Sequence, residues 1–402
     1  MPTRRMLLKN VAIAATGIGC CSRLAPGLLG AQAGAGGGRK RRIAAIDILP
    51  FTMPMKQMMR TAVGQPGADE VLVRARTADG VVGWGEASPF PPVTGETQAS
   101  AVVIGKDLTT VIRGRDPFEL ARIVADMDAR VGGNPSIKAA LEMALWDICG
   151  KLAGQPVCHL LGQYRDTFES DRTVYLDEPG PMAEKAKEIV AEGYQVVKVK
   201  VGQSPELDVA RLRAIRAAVG ERVRIRIDAN QGWTRDVAVH ALRRIAPLGI
   251  EFCEQPVAHW DWEGMRHVRQ QSPIPIMADE SVQTPSDALE CIRRSAAYLL
   301  NVKLMKCGGI LKAMQMAAIA EAANLQCMLG SMSETRIALT AAAHVMAAQK
   351  CAVYADLDTF TEHKIDPVLG GMEVKNGMVT LPEAPGLGMD VDPAFLKTLH
   401  PA

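Results

Sequence analysis

With 402 residues, 48% of them hydrophobic, the chain can bury a large core and exceeds the usual size of one folding unit, so two domains are expected. Lys plus Arg (46) nearly balances Asp plus Glu (44). That balance excludes the one-signed field by which nucleic acid or an anionic membrane is captured, and points to a small-molecule partner.

Residues 1–33 read as an export signal, not as part of the fold. Arg4-Arg5 precede an apolar run from Val11 to Cys21, and Ala31-Gln32-Ala33 offers a small-residue cleavage site. The run is much shorter than the roughly 20 residues a spanning helix needs, so no stable membrane anchor is expected. The paired arginines resemble the twin-arginine address, and a periplasmic or otherwise exported location follows. Residues 34–42 (GAGGGRKRR) follow no strand and end in no Gly-Lys-Ser/Thr, which makes them a linker and not a phosphate loop. Beyond the leader, Cys149, Cys158, Cys253, Cys291, Cys307, Cys327 and Cys351 contain no Cys-x-x-Cys pair. An odd count without close pairs argues for core thiols, against a disulfide framework or a zinc site.

From residue 43 to 152 the pattern predicts an α+β unit. Val71 to Arg76 alternates, Asp79-Gly80 turns, and Val81 to Trp84 returns, so a small antiparallel sheet is expected. Ile137, Leu141, Ala144, Leu145 and Ile148 then recur at helical spacing after the start signal Asn134-Pro135-Ser136. From about 160 to 365 a short β-branched run ends in a polar cluster and is followed by an amphipathic stretch, repeating about every 26 residues. The runs end near Asp177, Lys200, Asn230, Glu254, Glu280, Lys303, Ser331 and Asp356. Eight such units predict an α/β fold of the closed (β/α)₈ type, and no Gly-x-Gly-x-x-Gly follows any strand.

Catalytic groups of such barrels lie at the C-terminal strand ends. The third, fourth and fifth runs end in Asp228-Ala229-Asn230, Glu254-Gln255-Pro256 and Asp279-Glu280-Ser281. Three neighbouring carboxylates in one cavity need a cation between them, and an all-oxygen set suits one Mg²⁺, with Mn²⁺ the alternative, where zinc would want His or Cys. In Val196 to Val201 both Lys198 and Lys200 share a face, and the sixth run delivers Lys303 from the opposite side of the ring. Lysines facing each other across a cavity can remove a proton from one face and return it on the other. A neighbouring like charge, Lys198 beside Lys200, and a nearby dication both disfavour the ammonium form. A metal holding the substrate carboxylate would stabilise the enediolate formed as the α-proton leaves.

Lys198-Val199-Lys200, Asp228-Ala229-Asn230, Glu254-Gln255-Pro256, Ala278 to Ser281 and Asn301 to Gly309, with Ala144 to Ile148 before the barrel, resemble the enolase superfamily, muconate-lactonising subgroup. The resemblance covers essentially everything after Arg42. It implies a modified (β/α)₇β barrel closed by an α+β cap, with residues 366–402 completing the cap. It also implies Mg²⁺ on Asp228, Glu254 and Asp279, and Lys200 and Lys303 as the acid/base pair tuned by Lys198.

Tyr354-Ala355-Asp356-Leu357-Asp358 resembles the Asp-x-Asp by which the subgroup's dipeptide epimerases hold a dipeptide ammonium group. A dipeptide epimerase inverting the α-carbon of the C-terminal residue is therefore expected, acting on a dipeptide and forming a homo-oligomer. In Met53 to Arg60, which resembles the family's mobile loop, Arg60 and Lys56 suit an acidic second residue such as that of Ala-Glu. The segment's four methionines suit an apolar one. Asn230, Glu280, Ser331, Met332 and Glu334 complete the candidate substrate-binding set, and Trp260 and Trp262 are candidates for lining the pocket. A lyase or cycloisomerase of the subgroup, such as an o-succinylbenzoate synthase or muconate cycloisomerase, is the alternative, and an exported non-catalytic peptide-binding protein a more distant one.

Overall fold

The computed structural model describes residues 41–64 and 68–401; the leader, and the linker except for Arg41 and Arg42, lie outside the described residues. Three antiparallel strands open the fold: β1 (Ile43–Thr52), β2 (Asp69–Thr77) and β3 (Val82–Ala87), in the order β1-β2-β3. Alternation sends Ile46, Ile48, Val71, Val73 and Ala75 to one face and Leu49, Phe51, Leu72 and Trp84 to the other, and each set is buried in a different core. One face packs on the helices Gln98–Ile112, Leu120–Arg130 and Pro135–Ala153, the other on the main core. The β2–β3 turn forms at Asp79-Gly80 as expected, with Gly80 at φ +91°. A Cβ on Gly83 or Gly85 would lie 2.1 Å from the Ala144 carbonyl oxygen or 1.9 Å from that of Ala140, so the long helix rests its backbone directly on β3. That helix starts at Pro135 after Asn134, and the buried Glu96 carboxylate accepts the Ser136 and Ile137 N–H groups at 2.9 and 3.3 Å, closing its first turn.

A short strand, β4 (Thr167–Glu169), leads into the barrel strands. They are β5 (Arg172–Val174), β6 (Val196–Lys200), β7 (Arg224–Asp228), β8 (Ile250–Glu254), β9 (Ile276–Ala278), β10 (Leu299–Val302), β11 (Gln326–Leu329) and β12 (Ala352–Ala355), paired in parallel in sequence order. A helix crosses between each successive pair, from Pro179–Ala191 to Arg336–Ala348, which is the (β/α)₇β arrangement. The seam between β12 and β5 is bridged by the Asp171 N–H to the Ala355 carbonyl at 3.2 Å and by the Thr173 N–H to the Asp358 carboxylate at 2.6 Å. Inward-pointing Phe252, Met277, Leu299 and Met328, packed with Tyr354, fill the lower barrel. The Arg226 guanidinium lies 5.5 and 4.9 Å from the Phe252 and Tyr354 ring centres, held by Asp171 and Glu251 at 2.8 and 2.9 Å.

The chain's last part divides between barrel and cap. Hairpin strands β14 (Glu373–Lys375) and β15 (Met378–Thr380) add to β4, beside the barrel and not on the cap sheet. Strand β13 (Val368–Gly370) pairs with β16 (Met389–Val391). The segment around β16 reaches the cap: the Trp84 indole donates to Asp390 at 2.8 Å, and the buried Asp147 accepts both the Trp84 and Leu387 N–H groups at 3.0 and 2.8 Å. Phe395 meets Phe51 edge-on with ring centres 5.5 Å apart. Among the described residues, no helix is long and apolar enough to cross a membrane.

Candidate active site

Strand register brings the candidate groups to one level. Lys200 pairs with Asp228 and Asp228 with Glu254, while Asp279 and Lys303 follow β9 and β10 directly. On β6, Val197 and Val199 enter the outer core and Lys198 and Lys200 point into the barrel, with 1% and 9% exposure. Strands β6 and β10 are four apart in a ring of eight, so Lys200 and Lys303 enter from opposite sides. Lys200 Nζ lies 2.7 Å from Asp228 Oδ2 and Lys303 Nζ 2.8 Å from Asp279 Oδ2. Lys198 Nζ sits between Asp356 at 2.6 Å, Glu254 at 2.9 Å and Asp228 at 3.3 Å.

Burial disfavours every charge in this cluster, and the neighbours decide which way each group moves. Burial alone would lower Lys198 and Lys303, but Asp356 acting on the first and Asp279 on the second outweigh it and hold both ammonium groups above the usual lysine range. Both shifts run opposite to the lowering that a base needs. Asp279 is held below the usual carboxylate range against its burial by Lys303 and Lys306. Glu254 is pushed up to about 8 by burial and then by the Asp228 charge.

Among the described residues no group of three His, Cys, Asp or Glu side chains stands ready as a ligand set, and each candidate carboxylate is instead ion-paired with a lysine. The donor chemistry nonetheless fits a hard cation. Glu254 Oε2 and Asp279 Oδ2 are buried and meet only the Lys198 and Lys303 ammonium groups, at 2.9 and 2.8 Å, while Glu280 Oε2, Asn230 Oδ1 and Asn301 Oδ1 around them are buried and accept no hydrogen bond. Three unsatisfied buried oxygens beside carboxylates that already hold cations are costly unless a cation or water meets them, and an all-oxygen set of this kind suits Mg²⁺.

Asp356 and Asp358 are both buried at the barrel end. Asp356 is not remote from the candidate metal carboxylates, however, because Lys198 bridges it to Glu254 and Asp228. Asp358 Oδ2 accepts the Thr173 N–H, its Oδ1 accepts no hydrogen bond, and burial followed by the Asp356 charge pushes it up to about 7. Ser331 donates to the Asp356 carbonyl at 2.9 Å, Asn230 donates to Glu280 at 3.2 Å, and Met332 N–H donates to the buried Glu334 carboxylate.

The 53–60 segment is stitched to the barrel's first and last loops. The Lys56 N–H donates to the Glu362 carbonyl at 2.8 Å, Lys364 N–H to the Pro54 carbonyl at 2.8 Å, and Leu176 N–H to the Arg60 carbonyl at 3.1 Å. Lys56 Nζ donates to the Thr361 carbonyl at 2.8 Å, which uses one of the three donors of its ammonium group. Arg60 is exposed and lines a cavity of about 430 Å³ with Gln57, Tyr175 and Asp177. The four methionines do not act together, since Met53 and Met59 are buried, Met55 is half-buried and only Met58, at 59%, is exposed. Trp260 is 71% exposed and Trp262 packs on the core.

Two side chains outside the expected site set belong to it. Lys306, 2% exposed, donates to the Asp279 carboxylate and to the Val282 and Asn301 carbonyls at 3.1 and 3.0 Å. Asn301 donates to Glu254 Oε1 at 2.6 Å. Asn301 could have been found by alternation, lying two residues before Lys303, whereas Lys306 gives no strand signal because it sits in the helical turn Leu304–Cys307.

Comparisons with known proteins agree with this geometry. A family model described as mandelate racemase / muconate lactonizing enzyme, N-terminal domain matches residues 43–162, and one described as enolase C-terminal domain-like matches residues 181–395. The L-Ala-D/L-Glu epimerase of Bacillus subtilis is 41% identical, covering 87% of this chain and 95% of that protein. The hydrophobic dipeptide epimerase of Enterococcus faecalis is 40% identical, covering 87% and 99%. The crystal structure of a dipeptide epimerase from Cytophaga hutchinsonii, complexed with Mg and the dipeptide D-Ala-L-Val, superimposes with a TM-score of 0.88 at 37% identity, covering 89% of this chain and 98% of that one. With both domains matched and the lysine and carboxylate cluster at the strand ends, the chain belongs to the mandelate racemase/muconate-lactonizing family of the enolase superfamily.

Proposed function

We propose that the chain is a Mg²⁺-dependent isomerase that epimerises dipeptides at the α-carbon of the C-terminal residue. The observation that carries this reading is the pairing of Lys200 and Lys303, on opposite strands, with different carboxylates of one buried cluster. Similarity to the dipeptide epimerases of B. subtilis, E. faecalis and C. hutchinsonii supports the substrate class.

Asp228, Glu254 and Asp279 would hold the ion, with Asn301 orienting Glu254 through its 2.6 Å hydrogen bond. When bound, Mg²⁺ supplies positive charge against which the substrate carboxylate is held and its growing negative charge stabilised. Lys200 and Lys303 then exchange the α-proton, one removing it from one face while the other returns a proton to the opposite face. A lysine acts as base only when neutral, so Lys303 must be freed from Asp279, which holds its ammonium above the usual lysine range. Asp356 and Asp358 receive the dipeptide ammonium group, Asp358 using the oxygen that accepts no hydrogen bond. A lyase or cycloisomerase substrate carries no such cation and would leave that oxygen unmet.

Pooled dipeptides incubated with the protein and Mg²⁺ in D₂O test this reading. Single-deuterium incorporation confined to a subset of dipeptides is the expected outcome, and its absence across the full set would contradict the dipeptide assignment. An acidic second residue would engage Arg60, and cell-wall-derived Ala-Glu is the first candidate. Export through the twin-arginine route is part of the same reading. It predicts loss of the periplasmic fraction on replacing Arg4-Arg5 by Lys-Lys, and unchanged fractionation would overturn it.

A further inference from the structure

Cys327 and Cys351, separated by 24 positions in sequence, meet at the starts of β11 and β12. The Cys327 N–H donates to the Cys351 carbonyl at 2.8 Å, and Cys327 is in register with Ala352. Met328 points into the barrel, so Cys327 points outward, into the core beneath the helix Ile310–Ala322. The Cys351 thiol points at the same helix and donates to the Ala317 carbonyl at 3.3 Å. Cys351 directly precedes Ala352, the register partner of Cys327, so a strand spacing of about 4.8 Å and a rise of about 3.3 Å put the two Cα atoms about 6 Å apart, within the roughly 4.4–6.8 Å that a disulfide spans.

Access to the two sulfurs differs. A groove of about 980 Å³ opens at the N-terminal end of the barrel, away from the lysine cluster, and Cys351 lines it together with Glu321, Lys350 and Val353. Cys327 is 0% exposed behind it and Cys351 8%. Contact with Cys327 lowers the Cys351 thiol from its ordinary value, and the same contact, with burial, raises Cys327 well above it. Cys149, Cys158, Cys253, Cys291 and Cys307 are all raised, by burial above all, so Cys351 is the one thiol among the described residues held down.

We propose that Cys327 and Cys351 form a reversible disulfide across the last two barrel strands, made by exchange with a small disulfide that enters from the N-terminal groove. The Cys351 thiolate attacks one sulfur of the incoming disulfide, forming a mixed disulfide and releasing one thiolate. Cys327 then loses its proton and attacks the Cys351 sulfur, forming the internal bond and releasing the second. Two electrons pass from the protein thiols to the small disulfide, which leaves as two thiols, and the protein gives up two protons. The bond closes a loop containing Ser331, Glu334 and the helix Arg336–Ala348, and so fixes one wall of the barrel in an oxidising compartment without touching the lysines.

The test treats the full-length protein with oxidised glutathione at neutral pH, alkylates the denatured product and maps it by mass spectrometry without reduction. The expected result is a peptide linking Cys327 to Cys351, two fewer alkylated thiols, and a melting temperature about 4 °C higher that dithiothreitol reverses. Cys327→Ser should stop at a glutathione adduct on Cys351, and Cys351→Ser should leave Cys327 unmodified. Wild-type protein that keeps both thiols alkylatable, or that accumulates only the glutathione adduct on Cys351, would overturn the proposal.

Discussion

Lys198 contacts three carboxylates within 3.3 Å at 1% exposure, so its loss would strand several negative charges together. Removing one partner of a buried ion pair costs roughly 3 kcal/mol or more. Lys198→Ala should therefore melt well below the wild type, and Mg²⁺, by restoring positive charge, should raise its melting temperature more than it raises that of the wild type. Equal Mg²⁺ shifts would separate Lys198 from the metal site. Asp358, pushed up to about 7, is largely neutral below that pH and cannot hold an ammonium ion there. The kcat/KM for a dipeptide should accordingly rise as the pH passes up through about 7, and Asp358→Asn should both weaken and flatten that rise. The lysines and the first acids were legible because alternation on β6 and the acid at each run's end leave a sequence signature. The true counterions were not: that Lys198 links Asp356 to Glu254, and that Lys306 neutralises Asp279, depends on contacts 158 and 27 positions apart.

At the scale of the elements, alternation and turn signals located the cap hairpin and the start of the long helix, since both are written in local pattern. The polar clusters marked the barrel strands' ends to within a few residues. β5 ends at Val174 where the run suggested Asp177, because a short strand gives few alternating positions to count. The addition of the β14–β15 hairpin to β4 through β15 was not legible, as strands of three residues carry little periodic signal and β4 lies some 200 positions from β15. The closest packing is likewise invisible locally: Gly83 and Gly85 look like ordinary strand interruptions until the helix backbone is laid on them. Gly85→Ala would place a methyl group 1.9 Å from the Ala140 carbonyl oxygen and must push the helix Pro135–Ala153 away. Overpacking of this kind costs about 1–3 kcal/mol, so denaturant unfolding should show an earlier midpoint, and an unchanged midpoint would mean that the cap yields freely.

For the whole molecule, the cap joins both ends of the described chain to the barrel mouth. Its sheet is buried on two faces, the 53–60 segment is hydrogen-bonded to the loops after β5 and β12, and Trp84 and Asp147 tie down the segment before and within β16. A mouth closed in this way excludes water from the buried lysines and carboxylates, which strengthens every charge interaction among them. The central claim is that Lys200 and Lys303 work from opposite faces of one α-carbon. Its most direct test follows both epimers of one substrate dipeptide in D₂O with Mg²⁺, by mass spectrometry and chiral separation, for the wild type, Lys200→Ala and Lys303→Ala. Inversion should vanish in both variants, each retaining at most deuterium exchange of the single epimer whose α-proton faces the remaining lysine. Inversion that persists in either variant would contradict the account.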